Sequence, residues 1–192
     1  MRAVAALVIP AFFVLAGCHS DVAVAPASQP VVSHEALLAS QHFAPQYLDS
    51  VEARCTPPIG WRAEPLKQDN RRSHQIWVSP TGQTAYGVIR FSVPLPVGAE
   101  LVLIGFLSEL KRTEGNAVLI EKQWDSNHNV LRFVADSEQH RIRTNLVVRG
   151  FDAWAIYAAT IRDESIDPDE LSLAEKARDN TEVGPTQPPE VK

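Results

Sequence analysis

Cysteine is scarce in this chain: 192 residues contain two, Cys18 and Cys55, too few for a disulfide framework, so the core must supply the stability. An excess of basic charge is missing as well. Eighteen Lys and Arg stand against 23 Asp and Glu, a net charge of -5, which argues against nucleic acid as a partner. The recurrent catalytic signatures are also absent, with no Gly-x-Ser-x-Gly elbow, no His-Glu-x-x-His and no glycine-rich phosphate loop. Ser108-Glu109-Leu110-Lys111 fits Ser-x-x-Lys, but neither Ser-Asp-Asn nor Lys-Thr-Gly accompanies it, and the four residues read as the end of a helix. No catalytic residue, cofactor or metal is therefore assigned. Long apolar runs are missing too, apart from Ala3 to Leu15, which is too short to span a bilayer as a helix.

That apolar run follows Arg2 and ends in Leu15-Ala16-Gly17-Cys18. A charged start, a short apolar segment and small residues before a cysteine read as a secretory signal over residues 1–17. The combination resembles the lipobox of bacterial lipoproteins, and the resemblance implies cleavage before Cys18 and acylation of its thiol and amine. Each buried methylene contributes about 0.8 kcal/mol and a single chain holds only marginally, so two or three chains give a lasting anchor. With Cys18 so modified, Cys55 has no intrachain partner and reads as a small buried residue. The residue after Cys18 is His19, not the aspartate that retains family members in the inner membrane. The expected location is thus the cell envelope, in the periplasmic leaflet of the outer membrane if the cell is Gram-negative. The expected partners are the bilayer, through acylated Cys18, and an envelope protein.

The mature chain of 175 residues suffices for one domain with loose ends. Residues 18–33, rich in Ala, Pro, Ser and Gln, read as a tether. Over 34–54, Leu37, Leu38, Phe43, Tyr47, Leu48 and Val51 recur at near-helical spacing interrupted by Pro45, which predicts a broken helix. The folded domain is placed at 55–180. Strand-like runs at His74 to Ser79 and Gln83 to Val93 flank Ser79-Pro80-Thr81-Gly82, whose serine, proline and glycine suit positions one, two and four of a type I turn. Gly87 within the second run leaves room for a neighbour or marks a bulge.

Val97 to Thr113 reads as a helix closed by Gly115, with Lys111 and Arg112 in its last turn. Its apolar stripe, Leu103, Ile104, Leu107 and Leu110, is widened by Leu101, Val102 and Phe106, which implies burial on more than one side. Runs at Ala117 to Trp124, Val130 to Ala135, Arg141 to Arg149 and Ala153 to Arg162, joined by hairpin-length links, predict an antiparallel meander. Asp167-Pro168-Asp169-Glu170 starts a last helix, and residues 181–192 are expected to be disordered.

This order of elements, with Pro57-Pro58-Ile59-Gly60-Trp61 at its start, the hairpin at Ser79-Pro80-Thr81-Gly82 and the helix directly after it, resembles the PsbP-like family with its DcrB-like lipoproteins. The resemblance covers about residues 55 to 180. It implies an α+β fold, an antiparallel sheet of about six to seven strands flanked by helices in an α/β/α sandwich, and a role as adaptor or assembly subunit without a shared catalytic site.

Three features of the sequence offer sites. Arg141, Arg143 and Arg149 alternate on one strand, and Arg90, Arg132 and Arg162 join their face if the strands are in register; the choice lies between an anion-binding face and a solvated, ion-paired one. Trp61, Trp77, Trp124 and Trp154 make a partner surface only if they are exposed together, and at least two of them are expected in the core. Asp125-Ser126-Asn127-His128-Asn129 begins like a calcium loop, but Val130 stands where the sharp turn needs glycine, so a hairpin turn is the reading. His34, His42, His74 and His140 are too scattered to suggest a ligand pair. The leading expectation is a non-enzymatic envelope lipoprotein that binds another protein or supports an assembly. The alternative is a small-molecule or lipid carrier using a cleft between sheet and helix.

Overall fold

The structure, a computed structural model, describes residues 42–162 and 165–184. The signal segment, Cys18, the tether and His34 lie outside the described residues. Eleven strands and two helices are formed among the described residues: β1 Gln46–Leu48, β2 Ala53–Cys55, β3 Arg62–Ala63, β4 Lys67–Gln68, β5 Arg72–Val78, β6 Thr84–Ser92, α1 Ala99–Glu114, β7 Val118–Trp124, β8 Val130–Asp136, β9 His140–Arg149, β10 Asp152–Ile161, α2 Pro168–Asp179 and β11 Glu182–Val183. The fold is α+β. An eight-stranded antiparallel sheet runs β7-β8-β9-β10-β6-β5, with β3 and β4 both pairing along β5; β1, β2 and β11 form a second, small sheet.

β10 is central, and its residues 153–160 are all buried. Ala153, Ala155, Tyr157 and Ala159 join a core with α1 on one face, while Trp154, Ile156 and Ala158 join a core with α2 and the small sheet on the other. The strand alternation of side chains therefore feeds two apolar layers, and the result is the α/β/α sandwich. Two local signals place the elements. Gly82 donates its N–H to the Ser79 carbonyl at 3.0 Å and takes φ +76°, closing the β5–β6 turn. Asp167 caps α2 by accepting from the Asp169 N–H at 2.9 Å, with Pro168 first in the helix.

The region before Cys55 differs from the sequence reading. Residues 42–54 of the segment read as helical form a turn and the β1–β2 hairpin, and Val51 and Ala53 are fully buried against α2. Phe43, Tyr47, Leu48 and Val51 have helix-like spacing, but short β-strands with a turn at Asp49–Glu52 satisfy the same apolar residues, and Glu52 takes φ +46° there. The C-terminal boundary moves as well: Glu182 and Val183, placed in the disordered tail, pair with Arg54 and Ala53, and residues 185–192 lie outside the described residues.

Gly87 makes room rather than a bulge. It pairs with Tyr157, and a Cβ at this position would overlap the tyrosine ring and hydroxyl. The hydroxyl so admitted sits 2.6 Å from His74 Nε2 in the buried sheet. Burial raises the Tyr157 pKa well above its ordinary value, and the Glu114 charge adds to the rise.

Candidate functional site: an apolar groove beside α1

α1 reaches the sheet through Val102, Leu103, Leu110 and Phe106, packing on Leu131, Phe133, Ile142, Leu146 and the β10 alanines. Toward β6 and β5 a groove of about 380 Å³ stays open on the same face. Such a volume lies in the lower part of the range of roughly 300–1,000 Å³ for small-molecule sites and has room for about a dozen waters. Its floor is Ile89 and Phe91, its helix wall Leu101, Val102, Gly105 and Phe106, and Val93, Pro94 and Val97 line the end where β6 leads into α1. Gly105 shapes the wall by having no side chain, since a Cβ there would meet no atom within 4 Å.

The polar groups are few and sit at the rim. Glu109 is held by Arg112 through two bonds of 2.6 and 2.9 Å, and that hydrogen bonding keeps its carboxyl below the ordinary range. Arg72 lines the groove and makes no ion pair among the described residues; its charge reaches Glu109 and His74. The site is therefore an apolar channel with one uncommitted guanidinium beside it, suited to a hydrocarbon chain carrying an anionic end.

The arginine face forms as the register suggested. Arg90, Arg132, Arg141, Arg143 and Arg149 all point to the α2 side of the sheet, but most are occupied. Arg90 pairs with Glu52 at 2.9 Å and Asp152 at 3.1 Å, Arg141 with Asp136 at 2.8 Å and Arg143 with Glu175 at 3.2 Å, while Arg149 donates to the Val183 carbonyl at 2.8 Å and Arg162 to that of Ser137 at 3.0 Å. They are spread over the sheet rather than gathered, so the solvated, ion-paired reading describes them. Arg132 and Arg143 do meet Arg178 around a small trough of about 130 Å³, yet Arg178 is already bound to Asp179.

The tryptophans make no shared surface. Trp61, Trp77 and Trp154 are buried in the α2 core, where Trp154 donates to the Val51 carbonyl at 2.8 Å, and Trp124 is half-buried against the opposite core, stacked on His128. Their place on the inward side of the alternation corrects the partner-surface expectation. Asp125 caps its own hairpin, accepting from the Asn129 and Val130 N–H groups at 2.7 and 2.9 Å.

Beyond the expected sites, His140 faces a carboxylate: its Nδ1 lies 2.9 Å from Glu114, which also accepts from Ser137 Oγ at 2.5 Å. All three are buried, and Ser137 Oγ is engaged by the His140 and Gln139 N–H groups as well. The cluster pins the end of α1 to the β8–β9 turn and offers no accessible nucleophile. Cys55 is fully buried and burial pushes its thiol up to about 11, so it stays protonated and inert at neutral pH.

No family model and no curated protein matches this chain. A solved structure from Bacteroides thetaiotaomicron is similar over 74% of this chain and 48% of its own, at 9% identity and a TM-score of 0.37. This chain thus spans about half the length of that structure.

Proposed function

We propose that this protein is a lipid-anchored envelope module that holds a single-chain amphiphile with an anionic head, its chain along the α1 groove and its head at Arg72. The observation that carries the reading is the pairing of an apolar channel with Arg72, a guanidinium that makes no ion pair among the described residues. Acylation at Cys18 supplies the location, a membrane surface into which such molecules partition, and no catalytic step is assigned. Native mass spectrometry of the protein carrying Cys18→Ser, purified without added lipid, tests this: a retained adduct of a few hundred daltons supports the carrier, and bare protein opposes it.

A second reading, the protein-binding or assembly role, is favoured by the β7 edge. Val118 and Ile120 are exposed there, and no described strand pairs with the outer side of β7. Full antiparallel pairing of β7 with its own copy sets Glu121 opposite Glu121, which disfavours that register.

A further inference from the structure

The apolar stripe of α1 is wider than the sheet can cover. Leu101 and Ile104, whose spacing implied burial on more than one side, are 57% and 60% exposed. Leu95, in the loop that leads into α1, is 67% exposed, and Phe151, at the β9–β10 turn, 57%. These residues belong to one end of the molecule, because the Val93 N–H donates to the Phe151 carbonyl at 2.8 Å and Leu95 lies four residues before α1. The second half of α1 is different: Glu109, Lys111 and Arg112 carry its outward side. The first two turns of α1 are apolar apart from Glu100, whose carboxylate is committed to Lys122 at 2.9 Å, and with the two apolar loop residues beside them they form a surface that water alone does not suit.

We propose that this end, Leu95, Ile104 and Phe151 with Leu101 behind them, docks on a lipid bilayer and presents the groove to it. The inference rests on the carrier reading and adds where the ligand enters. Continuity argues for a bilayer over a second copy: Leu101 belongs both to the exposed surface and to the groove wall, and Val93, Pro94 and Val97, which line the groove, flank Leu95 in sequence. A chain seated in the groove can therefore pass into the membrane without crossing water. Arg72 lines the same groove and pairs across the sheet with Phe91, two residues before Val93, where it can hold an anionic head. The anchor permits this orientation. Twenty-three residues separate Cys18 from His42, a reach of at most about 80 Å, against about 33 Å for the length of the ten-residue strands.

The test uses residues 18–192 with Cys18→Ser, so that no acyl anchor contributes, and the triple variant Leu95→Ser, Ile104→Ser, Phe151→Ser. Two quantities are read: co-flotation with vesicles of phosphatidylethanolamine and phosphatidylglycerol, and solution affinity for a fluorescent fatty acid. The expected result is a loss of vesicle binding of about tenfold or more with fatty-acid affinity unchanged. Equal flotation of the two proteins overturns the docking inference and leaves the groove reading intact. Vesicle binding that depends on these residues in a protein that takes no fatty acid supports the docking surface while removing the carrier. A wild-type dimer in sedimentation that the triple variant abolishes shows that a second copy covers this face, and overturns the inference.

Discussion

Gly105 separates folding from binding in a way few positions allow. It lies in the interior of α1 with helical φ, and the space its Cβ would enter is empty. Gly105→Ala should therefore stabilise the protein by about 0.5–1 kcal/mol through lower chain entropy in the unfolded state and better helix propensity. For a domain of this size that raises Tm by about 1–4 °C. Gly105→Leu keeps much of that gain but projects a four-carbon side chain into the groove. If it displaces about four methylenes of ligand contact at roughly 0.8 kcal/mol each, affinity falls by about 3 kcal/mol, or on the order of 100-fold. Thermal unfolding and displacement of a fluorescent fatty acid, measured on both variants, give the two numbers. A folded Gly105→Leu protein that binds the probe as wild type does would refute the assignment of the groove. A destabilised Gly105→Ala protein would refute the geometry on which it rests.

Three other outcomes follow from named contacts. Burial first, then the charges of Lys67 and Arg72, press the His74 pKa from 6.5 to about 3, so the folded chain keeps it neutral while the unfolded chain takes up a proton below 6.5. Stability is then lost as pH falls from 6.5 toward 3, at up to about 1.4 kcal/mol per unit, and urea unfolding at pH 7, 5.5 and 4.5 should show a shallower loss in His74→Gln. Gly87→Ala forces a Cβ into Tyr157 and should cost about 1–3 kcal/mol in the same assay; a neutral effect would show that the tyrosine moves freely. For the anchor, metabolic labelling with an alkyne fatty acid should mark the wild-type protein and not Cys18→Ser, and equal labelling of the two would remove the lipobox reading.

Much of the sandwich was legible because its signals are local. Ser79-Pro80-Thr81-Gly82, Asp167-Pro168 and the glycine after α1 each carry their own backbone chemistry, and the six long strands end within a residue or two of their apolar runs. Elements of two or three residues were hardly legible, since no periodicity can be read from Gln46–Leu48 or Lys67–Gln68. The β1–β2 hairpin was mistaken for helix because burial against α2 selects Leu48, Val51 and Ala53 by tertiary contact. For the site, a cleft between sheet and helix was foreseeable, but not its residues. They follow from where α1 crosses the sheet and from the absence of a side chain at Gly105, and neither leaves a mark in spacing. The tryptophans teach the converse: strand parity would have set Trp154 beside Ile156 and Ala158 on the inner face.

The most direct test of the central claim is to locate a bound chain. A fatty acid carrying a photoactivatable diazirine at mid-chain, irradiated with the purified protein and mapped by peptide mass spectrometry, should label the groove at Phe91, Leu101, Val102 or Phe106. Labelling that spreads over the α2 face, or that persists unchanged in Gly105→Leu, would contradict the account.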